Sequence, residues 1–179
     1  VSTALARTVT VEIVQTPSLG DRSYLAHDGS VALVVDPQRD IDRVLALATS
    51  LGVRITHVFE THIHNDYLTG GLALARRTGA AYHVNAEDDV SFERVRVRDG
   101  DIVQVSPTLG VRVIATPGHT LTHLSYALRD GEQEVGVFTG GSLLFGATGR
   151  PDLLGPDHTH ELVRHQYASA RRLADELPD

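Results

Sequence analysis

The sequence predicts a single α/β sandwich in which strands outnumber helices. Short runs rich in β-branched and apolar residues recur along the chain, with segments of helical periodicity between them. The chain has 179 residues, of which 41% are hydrophobic and 22% charged, as expected for one globular domain with a sizeable core. Several histidines fall in loops that follow strands, so we expect a functional site along one edge of the sheets.

The first half of the chain alternates predicted strands with predicted helices. Strands are predicted over the ranges 9–16, 31–36 and 53–60 and over "AYHV", which follows the second helix. The first helix is predicted between an N-cap at Asp40 and a terminating Gly52, and the second over 72–79.

The second half is predicted to consist mostly of strands. Alternation between Val95 and Leu128 predicts consecutive strands joined by Asp-Gly and Leu-Gly turns. "EVGVFTGG" predicts a further strand that ends in a glycine-rich loop. The tail from Thr159 to Leu177 is predicted to be a helix with one apolar stripe, made of Leu162, Val163, Tyr167, Ala170 and Leu173.

Composition argues against several classes of function. The formal charge of −7 argues against a nucleic-acid or anionic-membrane surface, because both need clustered positive charge. Without cysteine, the chain offers neither disulfides nor thiolate ligands. No stretch approaches the roughly 20 apolar residues of a membrane span, and no signal-peptide pattern begins the sequence, so we expect a cytoplasmic protein.

Two short motifs place histidines directly after strands. "ETHIHNDYLTGG" carries His62, His64 and Asp66 at alternate positions, which point the same way in an extended chain. "TPGHT" places His119 after a strand and a tight turn, and "FTGGSLLFGATGRPD" is a third strand-to-loop transition. The histidine pair alone would also suit a solvated loop. Three imidazoles from two loops, however, are ligands that zinc or non-haem iron accepts, so a metal site is predicted.

In this order and spacing, "THIHND", "TPGHT" and "FTGGSLLFGATGR" resemble the metallo-β-lactamase superfold, and more narrowly its persulfide dioxygenase branch, including rhodanese-fused members. The resemblance extends over nearly the whole chain. It implies one αββα domain over 1–179, an Fe(II) cofactor with zinc as the alternative, and a small thiol or persulfide as substrate. Family members continue beyond "LADELPD", so we expect an incomplete C-terminus. A rhodanese domain elsewhere and a homo-oligomer remain open.

The resemblance assigns His62 and His119 as metal ligands, but two positions depart from the family pattern. Tyr67 stands where the superfold has a histidine for a second metal, which disfavours a binuclear hydrolytic centre. Gly141 stands where the family has a ligand aspartate. The third ligand is therefore left open between His64 in a three-histidine set, water, and Asp66.

Three further residues are candidates for roles beside the metal. Asp66 is expected to orient a histidine, with loop capping as the alternative. Tyr67 is a candidate donor to bound dioxygen or sulfur, with a packing role as the alternative. Arg150 matches an arginine of the family's third motif, where it either holds a substrate carboxylate or braces the loop. His123 is interpreted as a core or supporting histidine.

Three functions from different classes fit these residues. The first is a mononuclear iron dioxygenase that oxidises a persulfide, such as glutathione persulfide, to sulfite and the thiol. The second is a thioester hydrolase of glyoxalase II type, which Tyr67 and Gly141 disfavour. The third is a catalytically silent metal-binding member of the fold, which the missing carboxylate favours.

Overall fold

The computed structural model describes residues 8–17, 20–64 and 67–177. These residues form two β-sheets packed face to face, with helices on both outer sides. The layer order is therefore helix, sheet, sheet, helix, which confirms the predicted sandwich. None of the helices in the described ranges is long and apolar enough to cross a membrane.

The first sheet contains six strands in chain order: β1 (Thr10–Thr16), β2 (Asp21–His27), β3 (Val31–Val35), β4 (Arg54–Phe59), β5 (Ala81–Asn85) and β6 (Val95–Val97). The first three strands are antiparallel, and β3 to β6 pair in parallel. The connection from β3 to β4 passes through α1 (Ile41–Leu51) and that from β4 to β5 through α2 (Gly71–Thr78), whereas a loop joins β5 to β6. Because parallel strands end at the same edge of a sheet, the segments that follow β3 and β4 lie next to each other.

The second sheet is antiparallel and contains β7 (Ile102–Gln104), β8 (Leu109–Ala115), β9 (Leu124–Asp130) and β10 (Gln133–Phe138), in the order β10-β9-β8-β7. A small hairpin follows, made of β11 (Leu143–Leu144) and β12 (Ala147–Thr148). The chain then forms α3 (Pro156–Glu176).

Three buried clusters hold the layers together. Leu33, Phe59 and Tyr126 belong to the cluster between the two sheets. Val44 of α1 and Leu74 of α2 belong to the cluster on the helical side of the first sheet. A smaller cluster of Ile114, Ala127 and Leu173 joins α3 to the second sheet. Complete burial of one such large side chain stabilises the fold by about 1.5–3 kcal/mol.

One of the two turn predictions in the second half of the chain is wrong. Leu109 and Gly110 were predicted to form a turn, but they begin β8. The turn at Asp99 and Gly100 forms, yet it links β6 of the first sheet to β7 of the second. The chain therefore changes sheets at this turn, which local alternation cannot reveal because it is the same on either side.

The predicted apolar stripe of α3 is also partly wrong. Val163 and Tyr167 are 48% and 68% exposed, whereas Gln166 and Ser169 are buried. The Gln166 amide donates to the Ser142 carbonyl over 2.7 Å, and the Ser169 hydroxyl donates to the Pro117 carbonyl over 2.7 Å. The buried face of α3 thus includes polar groups because the helix packs on loops whose backbone carbonyls need donors.

Candidate metal centre

The histidines of the two motifs meet where strands of both sheets end. His62 and His64 follow β4, and His119 follows β8. The centroid of the His62 ring lies 4.0 Å from that of His64 and 4.8 Å from that of His119. His62 and His119 are 3% and 6% exposed, so both imidazoles are removed from bulk water.

The tautomer of His62 follows from its neighbours. The Thr61 hydroxyl donates its hydrogen to Asp36 Oδ2 over 2.7 Å and lies 2.9 Å from His62 Nδ1. Since that hydrogen is already used, Nδ1–H of His62 must donate to the hydroxyl oxygen. Nε2 then carries the lone pair, which is the form a metal binds.

Asp36 anchors this arrangement. Its carboxylate accepts from the Thr61 N–H over 2.7 Å as well as from the hydroxyl. Asp36 adopts φ 49° directly after β3, a left-handed conformation that costs a non-glycine residue roughly 1–2 kcal/mol. The strained backbone aims the carboxylate across to the segment after β4, where it fixes the start of the histidine motif.

His64 is oriented by two buried carboxyl groups. Its Nε2 lies 3.3 Å from Asp36 Oδ1 and 3.1 Å from Glu60 Oε2, and the three side chains bring possible ligand atoms within 4.8 Å of one another. A cation could in principle bind between them. The hydrogen bonds at Nε2 instead favour a supporting role for the carboxyls, with Nδ1 of His64 as the nitrogen that would take a metal.

The pKa values of Asp36 and Glu60 are shifted in opposite directions. Burial would raise the pKa of Asp36, but the His64 imidazole and the Thr61 N–H outweigh it and hold this pKa below its ordinary value. Burial raises the pKa of Glu60, and the charge of Asp36 adds to the rise against the hydrogen bond from His64. Asp36 is therefore the carboxyl that ionises first.

His119 is held by the backbone of the third motif. Its Nδ1 donates to the Arg150 carbonyl over 3.1 Å, which leaves Nε2 as the lone-pair nitrogen. Gly141, in the loop after β10, lies against the same ring, and a Cβ built there would stand 2.6 Å from His119 Nε2. The imidazole therefore occupies the space that a side chain at position 141 would need.

The hydrogen bonding of the three imidazoles suits metal binding, although the group of possible ligand atoms that lie within 4.8 Å of one another in the described ranges is that of Asp36, Glu60 and His64. His62 and His119 each use Nδ1 for a protein hydrogen bond and present Nε2, while His64 uses Nε2 and presents Nδ1. One fixed and one remaining nitrogen on each ring is the pattern of metal-binding histidines. The chemistry of the donor set suits iron(II) or zinc.

The other predicted site residues lie at different distances from this cluster. Tyr67 lines the same cavity, and its hydroxyl donates to the Asp36 carbonyl over 3.3 Å and lies 3.0 Å from His64 Nε2. Asp66 falls outside the described residues. The Arg150 side chain is 72% exposed, pairs with Asp152 and does not line the cavity. The Arg150 carbonyl accepts the hydrogen bond from His119. A substrate-binding role for the Arg150 guanidinium stays a prediction.

His123 is closer to the centre than its sequence position suggested. Its ring is 1% exposed and stacks 5.0 Å from that of His62. Nδ1 lies 2.9 Å from the Thr116 hydroxyl, whereas Nε2 is buried with no hydrogen-bond partner among the described residues. Burial, reinforced by the nearby His62, holds the pKa of His123 well below its ordinary value. The spacing "TPGHTLTH" was the only sequence signal for this residue.

A cavity of about 460 Å³ opens above the histidines. Its base includes His62, His64 and Tyr67, and the β11–β12 hairpin forms one wall. This volume suits a small organic ligand.

The chain belongs to the metallo-beta-lactamase superfamily, whose family model matches residues 22–179. Hydroxyacylglutathione hydrolase from a Polaromonas species is 32% identical over 151 residues, which cover 83% of this chain and 54% of that protein. The hydroxyacylglutathione hydrolase of Gloeothece citriformis is 32% identical over 148 residues, covering 78% of this chain and 57% of that protein. The chain thus spans about half the length of the curated relatives it matches.

Solved structures show the same fold. A metallo-beta-lactamase from Staphylococcus aureus superposes with a TM-score of 0.88 at 27% identity, covering 96% of this chain and 54% of that one. ETHE1 from Myxococcus xanthus superposes with a TM-score of 0.80 at 34% identity, covering 95% of this chain and 72% of that one. The α/β sandwich is therefore the metallo-β-lactamase fold, and the fold implies a metal cofactor.

Proposed function

We propose that this chain is a mononuclear non-haem iron enzyme that oxidises a low-molecular-weight persulfide, such as glutathione persulfide, to sulfite and the thiol. One observation carries the proposal. The rings of His64 and His119 lie 4.0 Å and 4.8 Å from the ring of His62, whereas Tyr67 and Gly141 occupy the positions where a second metal would need a histidine and a carboxylate. A set of ligands for one metal favours redox chemistry over two-metal hydrolysis.

Three nitrogens would hold the iron: Nε2 of His62, Nε2 of His119 and Nδ1 of His64. Bound there, iron(II) would supply open coordination positions for sulfur and dioxygen. Neutral imidazole ligands leave the ion its positive charge, so the site attracts an anionic persulfide. The reaction balances when one persulfide anion, one dioxygen and one water yield one thiolate, one sulfite and two protons. The outer sulfur is oxidised and dioxygen is reduced.

The chain's own residues prepare this site. Asp36 and Thr61 fix the His62 tautomer, and the Arg150 carbonyl fixes that of His119. Tyr67 lines the cavity, and we assign its hydroxyl to turn from the Asp36 carbonyl, to which it now donates, and to donate instead to the bound sulfur or dioxygen. Asp66 is assigned to orient a ligand histidine.

Hydrolysis of a glutathione thioester is the second candidate. It is favoured by the names of the curated relatives, which are hydroxyacylglutathione hydrolases. Tyr67 and Gly141 argue against hydrolysis. A two-metal hydrolytic centre needs ligands for both ions, and these two positions do not supply the expected histidine and carboxylate.

The two candidates are separated by assaying the same preparation twice. Protein loaded anaerobically with iron(II) should consume oxygen when glutathione persulfide is added and release sulfite. The same protein, and a zinc-loaded portion, should leave a hydroxyacyl thioester of glutathione intact. Thioester cleavage without persulfide-dependent oxygen uptake would replace the first candidate with the second, and failure of both would favour a silent member of the fold.

A further inference from the structure

A single arginine stands at the cavity above the histidines. Arg22 lies near the start of β2 and shares a strand face with Tyr24, and both side chains line the cavity. Among the cavity-lining residues that the structure describes, Arg22 is the one with a permanent positive charge.

The Arg22 guanidinium is available to a ligand. It is exposed and forms no hydrogen bond or ion pair with any residue in the described ranges. Its cross-strand partner on β1 is Gln15, which offers no opposite charge. By contrast, Arg43 is engaged with the Gln15 carbonyl and the Thr16 hydroxyl.

The acidic groups at the cavity favour a protein cation beside an anionic ligand that extends away from the metal. The chain carries a net charge of −7, and Asp21 and Asp36 both line the cavity. Asp21 accepts from the Gln38 amide over 3.0 Å, so one of its oxygens is already bonded. An anionic ligand would meet repulsion from this surface unless Arg22 offset it.

Another part of the cavity lining is apolar. Leu143, Leu144 and Phe145 of the β11–β12 hairpin line the cavity, and Phe145 is fully exposed. This lining would match a ligand whose acidic end contacts Arg22, whose aliphatic middle contacts the hairpin and whose sulfur end lies at the histidines. The cavity volume of about 460 Å³ suits a ligand the size of a small peptide.

We propose that Arg22 is a specificity-determining residue that binds a carboxylate of the thiol carrier and so selects acidic thiols over neutral ones. This inference rests on the proposed function in one respect, which is that the sulfur end of the ligand lies at the histidines. Arg22 forms a charge-assisted, bidentate contact with the carboxylate, a geometry that guanidinium groups favour.

The test uses glutathione and its diethyl ester, in which both carboxylates are masked. On iron-loaded protein, Arg22→Gln should raise KM for glutathione persulfide about tenfold with kcat unchanged, as expected for loss of one charge-assisted contact. The KM for the ester persulfide should not change. Arg77→Gln on α2 removes the same charge from an exposed site outside the cavity and is the matched control. Arg22→Lys should fall between wild type and Arg22→Gln.

Dissociation constants of the two thiols, measured by calorimetry on the same proteins, separate this inference from the proposed reaction. If no persulfide is turned over, the reaction is wrong, yet Arg22→Gln should still weaken glutathione binding about tenfold and leave ester binding unchanged. Equal weakening for both thiols, the same weakening in Arg77→Gln, or no weakening in Arg22→Gln would overturn the role of Arg22.

Discussion

The single residues of the candidate centre divide into the histidines proposed as metal ligands and the groups that hold those histidines by hydrogen bonds. The Nδ1 atoms of His62 and His119 are hydrogen-bonded to the Thr61 hydroxyl and the Arg150 carbonyl, so turning either lone pair away would break a hydrogen bond that is buried at His62 and partly buried at His119. A buried donor left without an acceptor costs about 1–3 kcal/mol. The protein therefore holds both rings in one orientation before any ligand arrives.

Removal of either imidazole should abolish metal retention. We expect His62→Ala and His119→Ala to lose bound iron during gel filtration, because each removes one of three nitrogens around the ion. His160→Ala on the exposed face of α3 is the control and should retain the wild-type metal content. Metal analysis of the three purified variants checks this expectation. Equal metal loss from all three would place the site elsewhere.

Gly141 is the residue at which a missing carboxylate can be restored. Gly141→Asp should raise the affinity for iron(II) roughly tenfold or more, because it adds an anionic oxygen donor beside the imidazoles. Its Cβ would overlap the present position of the His119 ring, so that ring must shift. The shift is feasible since one hydrogen bond, to the Arg150 carbonyl, holds the ring.

Gly141→Ala separates the carboxylate from the crowding. It introduces the same Cβ without an oxygen donor, and we expect its iron affinity to fall below that of wild type. Anaerobic iron titration of the three proteins gives the comparison. If the aspartate lowers the affinity as much as the alanine does, position 141 does not reach the metal.

The three histidines were predicted as ligands from the sequence, whereas the groups that contact them were not foreseen. His62, His64 and His119 stand in short motifs whose residues are neighbours in the chain. Asp36 lies 25 positions before Thr61, and its contact depends on a left-handed turn after β3 that no pattern of residue types encodes. Long-range contacts of this kind appear only when the sheet is assembled.

At the scale of elements, β4 and β5 carry a buried stack of histidines outside the candidate centre. The His83 ring lies 4.3 Å from Phe59 and 5.3 Å from His57, and neither of its nitrogens has a hydrogen-bond partner among the described residues. Burial, with a smaller contribution from His57, lowers the pKa of His83 to about 3. The folded state therefore holds this imidazole neutral.

Acid should destabilise the fold through His83. Its folded pKa is below the unfolded value of 6.5, so its contribution to stability is complete above pH 6.5 and is lost as pH falls towards 3. Between pH 6.5 and 5 this loss amounts to about 2 kcal/mol. His83→Phe should remove that part of the pH dependence, as measured by urea unfolding of metal-free protein at pH 7 and pH 5. An unchanged difference between the two pH values would show that His83 is not held neutral.

The elements were predictable where local pattern decides the structure. Strands β1, β3, β4, β5 and β10 and all three helices lie close to their predicted ranges. β2 was missed, because "DRSYLAH" mixes charged, polar and apolar residues without a clear alternation. The stripe of α3 was partly wrong at Val163 and Tyr167, because the polar Gln166 and Ser169 are buried against loop carbonyls.

At the scale of the whole molecule, the two sheets bring loops from distant parts of the chain to one edge. β4 belongs to the first sheet, whereas β8 and β10 belong to the second. The loops that follow these strands nevertheless bring His62, His119 and Gly141 close together. The helices on the two outer faces do not enter this edge directly. α3 supports it through hydrogen bonds to Ser142 and Pro117.

The molecular charge leads to a separate expectation about nucleic acids. With a net charge of −7 and no lysine, the chain should not retain duplex DNA at physiological salt, because few phosphates could be neutralised. A gel-shift titration at micromolar protein checks this. A salt-sensitive shift would contradict the assignment of a small-molecule substrate.

The number of metal ions per chain distinguishes a one-metal centre from a two-metal centre. The proposed centre is mononuclear because Tyr67 and Gly141 stand where a second ion would need its ligands. Protein reconstituted anaerobically with excess iron(II), freed of unbound metal and analysed by mass spectrometry, should contain one iron per chain, and His62→Ala should contain none. Two tightly bound ions per chain in the wild type would contradict the account and favour the hydrolytic reaction.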